Sequence, residues 1–219
     1  MAPRRGGVRA AAWWAKAWLR AVEESAYGER DLRGGRALAR GGAVGGITVS
    51  AGRLLAGVLE DDDVWTVTVE VPVLAEESVA AFGELVAAES GRIAQLLAGE
   101  LPLELAEHAE EAGVELLPYG GELVAECTCG AWTQPCRHAL AVLLQTGWLV
   151  DGDPLTLVLL RGLPREELLA ALHARTVAEP ETEPADPDEE AAYDAAVRAR
   201  RLLDLLESGD DGADLSHLL

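Results

Sequence analysis

The stretch Glu126-Cys127-Thr128-Cys129-Gly130-Ala131-Trp132-Thr133-Gln134-Pro135-Cys136-Arg137-His138 decides how this chain is read. It holds all three cysteines of the 219 residues, and a histidine follows the last of them by two positions. The skeleton is C-x-C-x6-C-x-H. Thiolate sulfur and imidazole nitrogen are the donors zinc prefers, and structural sites take four of them in a tetrahedron. Three clustered cysteines do not suit a disulfide framework. C-x-C also lacks the two-residue spacer of a thioredoxin-type redox pair. The expected cofactor is one structural Zn2+ held by Cys127, Cys129, Cys136 and His138. Four protein donors leave no position for a water, so the metal supplies folding free energy rather than water activation.

The flanks suit such a site. Val114–Leu117 and Glu122–Glu126 read as a hairpin around Tyr119-Gly120-Gly121, with Cys127 and Cys129 leaving its end. Gly130 helps the chain turn, and Pro135 limits backbone freedom before the third cysteine. Cys136 to Trp148, CRHALAVLLQTGW, reads as an apolar helix whose first-turn N–H groups favour thiolate charge.

Upstream, Ala10 to Ser25 has helical periodicity, with Trp14 and Trp18 four apart on one face. A short helix fits Arg33–Arg40 within the Gly- and Arg-rich segment 30–46. Val44–Ser50, Arg53–Glu60 and Val64–Val71 then read as a three-stranded antiparallel meander closed by Pro72. Residues 76–99, with Gly91 as a break, and Leu101–Ala112 read as helices, as do Asp153–Leu160 and Pro164–Arg175. Prolines 180, 184 and 187 among acids mark a linker, and 189–207 is amphipathic.

The expected fold class is α+β: a small antiparallel three-stranded sheet with packed helices, plus a zinc-stapled β-hairpin–helix unit. The expected organisation is a basic tail over 1–9, a first body over 10–113 and the metal-bearing segment with its following helices over 114–175. An acidic Pro-rich linker over 176–188 and a C-terminal helix with an acidic tail over 189–219 complete it.

The net charge of −20 disfavours a protein that grips phosphate over its whole surface. The charge is uneven, however. Residues 1–53 hold ten Lys/Arg against four acids, so a basic head precedes a strongly acidic body. No apolar run reaches the ~18 residues of a membrane span. The start is a poor signal-peptide core, since Ala11 to Leu19 is broken by Lys16 and carries three tryptophans. A cytoplasmic protein with no membrane partner is expected. Phosphate-cradling, nucleophile-elbow and H-E-x-x-H motifs are all missing. His108, His173 and His217 have no constellation around them, so neither an enzyme nor a small-molecule substrate is expected.

The C-x-C-x6-C-x-H pattern, closing a hairpin and opening an apolar helix, resembles the SWIM zinc finger. Three further stretches resemble bacterial SWIM-containing proteins: Trp13-Trp14-Ala15-Lys16-Ala17-Trp18, the basic Gly-rich run Gly35 to Val44, and Asp153-Pro154-Leu155-Thr156-Leu157-Val158-Leu159-Leu160-Arg161-Gly162. The likeness spans roughly residues 10–175. It implies a module that binds protein or DNA, and a companion of Swi–Snf-type ATPases.

Several residues have two readings. Trp14 and Trp18 either fill a core or serve a partner or nucleic acid. Arg33, Arg36 and Arg40 would share one helix face, either as a phosphate-contacting row or as a solvated face paired with carboxylates. Arg137, between two ligands, points away from the metal and is a weaker contact candidate. Trp132 is expected to pack over the metal cluster.

Overall fold

The computed structural model describes residues 10–178 and Arg200. The chain divides into two compact units, Met1–His173 and Ala174–Leu219, and the packing below is that of the first. Most of the linker, C-terminal helix and tail expected over 176–219, and the basic tail over 1–9, lie outside the described residues.

The core is organised by one helix, α6 (Arg137–Gly152). Its sequence is apolar nearly all round, and His138 to Gly147 form an unbroken buried run. A helix of that kind must be covered on several sides. Two helices do so: α1 (Trp13–Ser25) and α2 (Glu29–Gly41). From α1, Trp14, Ala15, Trp18, Ala21 and Val22 face inward at helical spacing. The Trp14 indole N–H donates to the Val150 carbonyl at 2.8 Å, and that of Trp18 to the Leu143 carbonyl at 3.0 Å. Asp151 Oδ1 accepts from the Ala11 and Ala12 N–H groups, capping α1 from a distant helix.

The sheet is antiparallel, in the order β1 (Val44–Ser50), β2 (Arg53–Glu60), β3 (Asp63–Glu70), β4 (Val124–Cys127). Its buried face carries Val44, Leu54, Ala56, Val58, Val67, Val69 and Ala125. The other face presents residues such as Thr48, Leu55, Thr66 and Glu126 to solvent. The β2–β3 turn places Asp61 and Asp62 in the left-handed region, at φ of 51° and 55°. A two-residue turn of that hand matches the strand twist, and aspartate tolerates it better than most residues.

The mixed helix-and-sheet class stands, but two expectations are corrected. The sheet has four strands, not three, because β4 pairs with β3 from Val67 opposite Cys127 to Glu70 opposite Val124. The hairpin of Val114–Leu117 with Glu122–Glu126 does not form. The Val114 N–H bonds back to Ala109, and the Glu115 carbonyl accepts from the buried Arg161 guanidinium, so two of the groups a ladder would use are already taken. A single 3-10 turn, Gly120–Glu122, leads into β4.

The remaining helices are α3 (Glu76–Ala87), α4 (Ser90–Leu97), α5 (Leu103–Glu111), α7 (Leu155–Leu160) and α8 (Arg165–Ala178). Eight helices are thus found among the described residues. None of those residues belongs to a helix long and apolar enough to cross a membrane.

Candidate metal centre

The four donors come together where β4 ends and α6 begins. Cys127 is the last residue of β4. A turn follows, with the Gly130 N–H 3.4 Å from the Cys127 carbonyl. Gly130 has φ of +65°, a conformation a side chain disfavours, and the turn places Cys129 beside Cys127. Cys136 then caps α6 in extended conformation, and His138 stands in its first turn. Gln134 Oε1 accepts the Cys136 N–H at 3.1 Å and steadies the return of the loop.

One donor atom from each of Cys127, Cys129, Cys136 and His138 lies within 4.8 Å of all the others. Cys129 Sγ is 3.6 Å from Cys136 Sγ, and His138 Nδ1 is 3.7 Å from Cys127 Sγ and 3.9 Å from Cys136 Sγ. Around a tetrahedral zinc with Zn–S of ~2.3 Å and Zn–N of ~2.0 Å, donor atoms stand ~3.5–3.8 Å apart. The cluster therefore fits one zinc ion with three sulfurs and one nitrogen. The three thiols are not disulfide-bonded.

The electrostatics show what a cation would have to displace. Burial pushes the Cys127 thiol up to about 12 and also raises Cys136. Cys129 is only half-buried, and against the same upward push the Ala131 N–H and its bonds to His138 and the other two sulfurs bring it down to about 7. Two thiols thus resist ionisation unless a metal takes their protons' place.

Two residues outside the quoted stretch complete the surroundings. The Trp65 ring of β3 stacks on His138, with centroids 5.8 Å apart and planes at 26°. Glu60 Oε2, at the end of β2, lies 2.8 Å from His138 Nε2 and 2.7 Å from the Arg137 guanidinium. No local motif identifies Glu60. Its parity does carry a signal: it continues the inward-facing series Leu54, Ala56, Val58, where an acid is out of place without a partner.

Residues 112–147 match the family described as SWIM zinc finger. This segment is a SWIM zinc finger. The match takes in β4, the ligand loop and most of α6. Over 205 residues the chain is 28% identical to the Mycobacterium tuberculosis (strain ATCC 25618 / H37Rv) protein called Uncharacterized protein Rv2102, an alignment covering 83% of this chain and 73% of that one. No solved structure matches the chain.

The other candidate residues are placed as follows. Trp14 and Trp18 are 8% and 0% exposed and both indole N–H groups are spent on α6 carbonyls, so neither presents a ring to a partner. Arg33 and Arg40 are exposed on α2, whereas Arg36 is half-buried and pairs with Glu23 at 2.5 Å. Arg137 is half-exposed and engaged with Glu60. Trp132 does not cover the SWIM cluster as expected: it is 100% exposed, and Trp65 takes the place against His138.

Proposed function

We propose that this chain is a non-catalytic, zinc-stapled adaptor that docks on a protein partner of a DNA-acting machine, with a Swi–Snf-type ATPase as that partner. The observation that carries the reading is Trp132. It stands fully exposed on the SWIM loop between Cys129 and Cys136, two ligands that a bound metal would fix. An aromatic side chain on a loop pinned at both ends loses little conformational freedom on binding, and tryptophan is the residue most enriched at interface hot spots. Four protein donors fill a tetrahedral site, which favours a structural over a catalytic metal. The hollow beside the centre is net acidic: its lining holds Asp31, Glu60, Asp61 and Asp63 against Arg30 and Arg137, and Arg137 is paired with Glu60. That charge and the −20 of the whole chain favour a protein partner over a polyanion.

A second reading is direct nucleic-acid binding through the basic segment and the finger. It draws on the packing of α2 against α6, where the Arg137 Cβ sits 3.2 Å from the position a Cβ on Gly34 would take. The exposed Arg33 and Arg40 thus belong to a helix that abuts the SWIM finger.

Affinity capture from native extract, with and without nuclease, separates the two. The adaptor reading expects an ATPase that survives nuclease and is lost with Trp132→Ala. Recovery that vanishes with nuclease and with Arg33→Glu/Arg40→Glu, but tolerates Trp132→Ala, would replace it with the second reading.

A further inference from the structure

His138 is held on three sides. Its Nδ1 faces the sulfurs of Cys127 and Cys136, its Nε2 faces Glu60 Oε2 at 2.8 Å, and Trp65 stacks on its ring. The imidazole is 3% exposed, so water does not compete for it. A neutral imidazole carries one N–H and one lone pair. An ionised carboxylate can only accept, so its contact with Nε2 fixes the proton there and leaves the Nδ1 lone pair for the sulfur cluster. Glu60 is itself held. The same Oε2 accepts from the Arg137 guanidinium at 2.7 Å, and Glu60 lies where β2 enters its left-handed turn. Arg137 precedes His138 on α6, so one carboxylate joins two successive residues of the finger to the sheet. Charge supports the arrangement: three thiolates around Zn2+ leave one net negative charge, Glu60 adds another, and Arg137 offsets it.

We propose that Glu60 is a positioning residue of the zinc centre, holding His138 as an Nδ1 ligand, so that the finger's zinc affinity depends on a residue 78 positions upstream and outside the matched segment. This deepens the zinc reading and rests on it. Outer-sphere partners of this kind typically change metal affinity 10–100-fold.

The test uses the full chain. Zinc affinity is measured by competition with a chromophoric chelator for wild type, Glu60→Ala, Glu60→Gln and Arg137→Ala, and ring protonation is read in the zinc-loaded proteins by long-range 1H–15N NMR. Wild type is expected to show His138 metal-bound at Nδ1 and protonated at Nε2. Glu60→Ala should weaken zinc by about 10–100-fold and lose the slowly exchanging Nε2 proton. Glu60→Gln, whose amide oxygen still accepts, should recover part of the affinity, and Arg137→Ala should lose less than Glu60→Ala. A merely structural Glu60 would lower the melting temperature while leaving affinity and ring protonation unchanged, and that result overturns the proposal. So does ligation through Nε2 in wild type. Should Glu60→Ala not fold, the Glu60→Gln and Arg137→Ala affinities decide: both equal to wild type overturns the proposal. Wild type that takes up no zinc at all would sink the zinc reading itself, a different failure.

Discussion

A Cβ built on Gly35 of α2 would stand 2.8 Å from the Leu140 Cβ of α6 and 3.1 Å from the Arg137 carbonyl oxygen. The two helices therefore approach at a separation that only glycine permits, and the obstruction is partly backbone, which cannot rotate away. Gly35→Ala is expected to destabilise by about 1–3 kcal/mol through overpacking. Gly41, on the same helix, has nothing within 4 Å of its would-be Cβ, so Gly41→Ala should stabilise by about 0.5 kcal/mol or more. Urea unfolding of the zinc-loaded chain compares the two, and shifts of equal sign would contradict the α2–α6 packing.

Tryptophan burial divides the next pair of variants. Trp18 is fully buried and its N–H bonded, whereas Trp132 is fully exposed. Trp18→Ala should cost about 3–5 kcal/mol, and Trp132→Ala should stay within about 0.5 kcal/mol of wild type. A large loss at Trp132 in a thermal melt would mean that its ring is packed after all.

Cys136 anchors both the metal set and the start of α6. Cys136→Ser is expected to abolish the one-to-one zinc content found by elemental analysis. It should also lower stability by about 3 kcal/mol or more, because ligand free energy is folding free energy. A metal-free yet fully stable wild type would count against a structural role.

Zinc uptake should expel protons. At about pH 7.5 the metal-free centre keeps roughly two, on Cys127 and Cys136, since both thiols are raised while Cys129 sits near 7. Binding that releases protons weakens as acid is added. Affinity should therefore fall about 100-fold per pH unit below that point, and more steeply once Cys129 is protonated as well. Calorimetry in buffers of different ionisation enthalpy counts the protons, and a count near zero would refute the burial argument.

Arg161 is 4% exposed and donates to the Pro72 carbonyl at 2.5 Å and the Glu115 carbonyl at 2.8 Å, tying the end of the sheet and the 114–117 segment to α7. Burial lowers its pKa, with Glu122 and Glu115 opposing. Arg161→Met would leave both carbonyls without that donor and should destabilise by about 2–4 kcal/mol. Arg161→Lys, with one point of contact instead of a fork, should fall between. Melting temperatures order the three, and a Met variant as stable as wild type would show the carbonyls finding other donors.

Local pattern made much of this legible. β1 and β2 fall at their expected bounds, and β3 one residue early, because alternation and the turn residues lie side by side in sequence. The ligand set was legible because all four donors lie within one short stretch. What failed depends on distant partners. β4 is four residues long, and its register with β3 involves residues about 60 positions earlier. Residues 114–117 have strand-like composition, but Arg161 takes the Glu115 carbonyl from 46 positions away. Glu60 became meaningful only when the β2–β3 hairpin was brought to His138. The expected place of Trp132 failed for the opposite reason, since a tryptophan near a ligand cluster looks like its lid until another tryptophan occupies the position.

The indole bonds from α1 to α6 also set an order of events on the ribosome. Trp18 finds its Leu143 acceptor 125 residues further along the chain, and Trp14 finds Val150 after 136. At a translation rate of about 5–20 residues per second, α1 waits roughly 6–25 seconds for the helix that buries it. Through that interval a nascent chain carries an uncovered tryptophan-rich segment, a surface suited to a chaperone. Slowing elongation between residues 25 and 150 should lengthen that exposure, and with it the dependence of yield on chaperone supply.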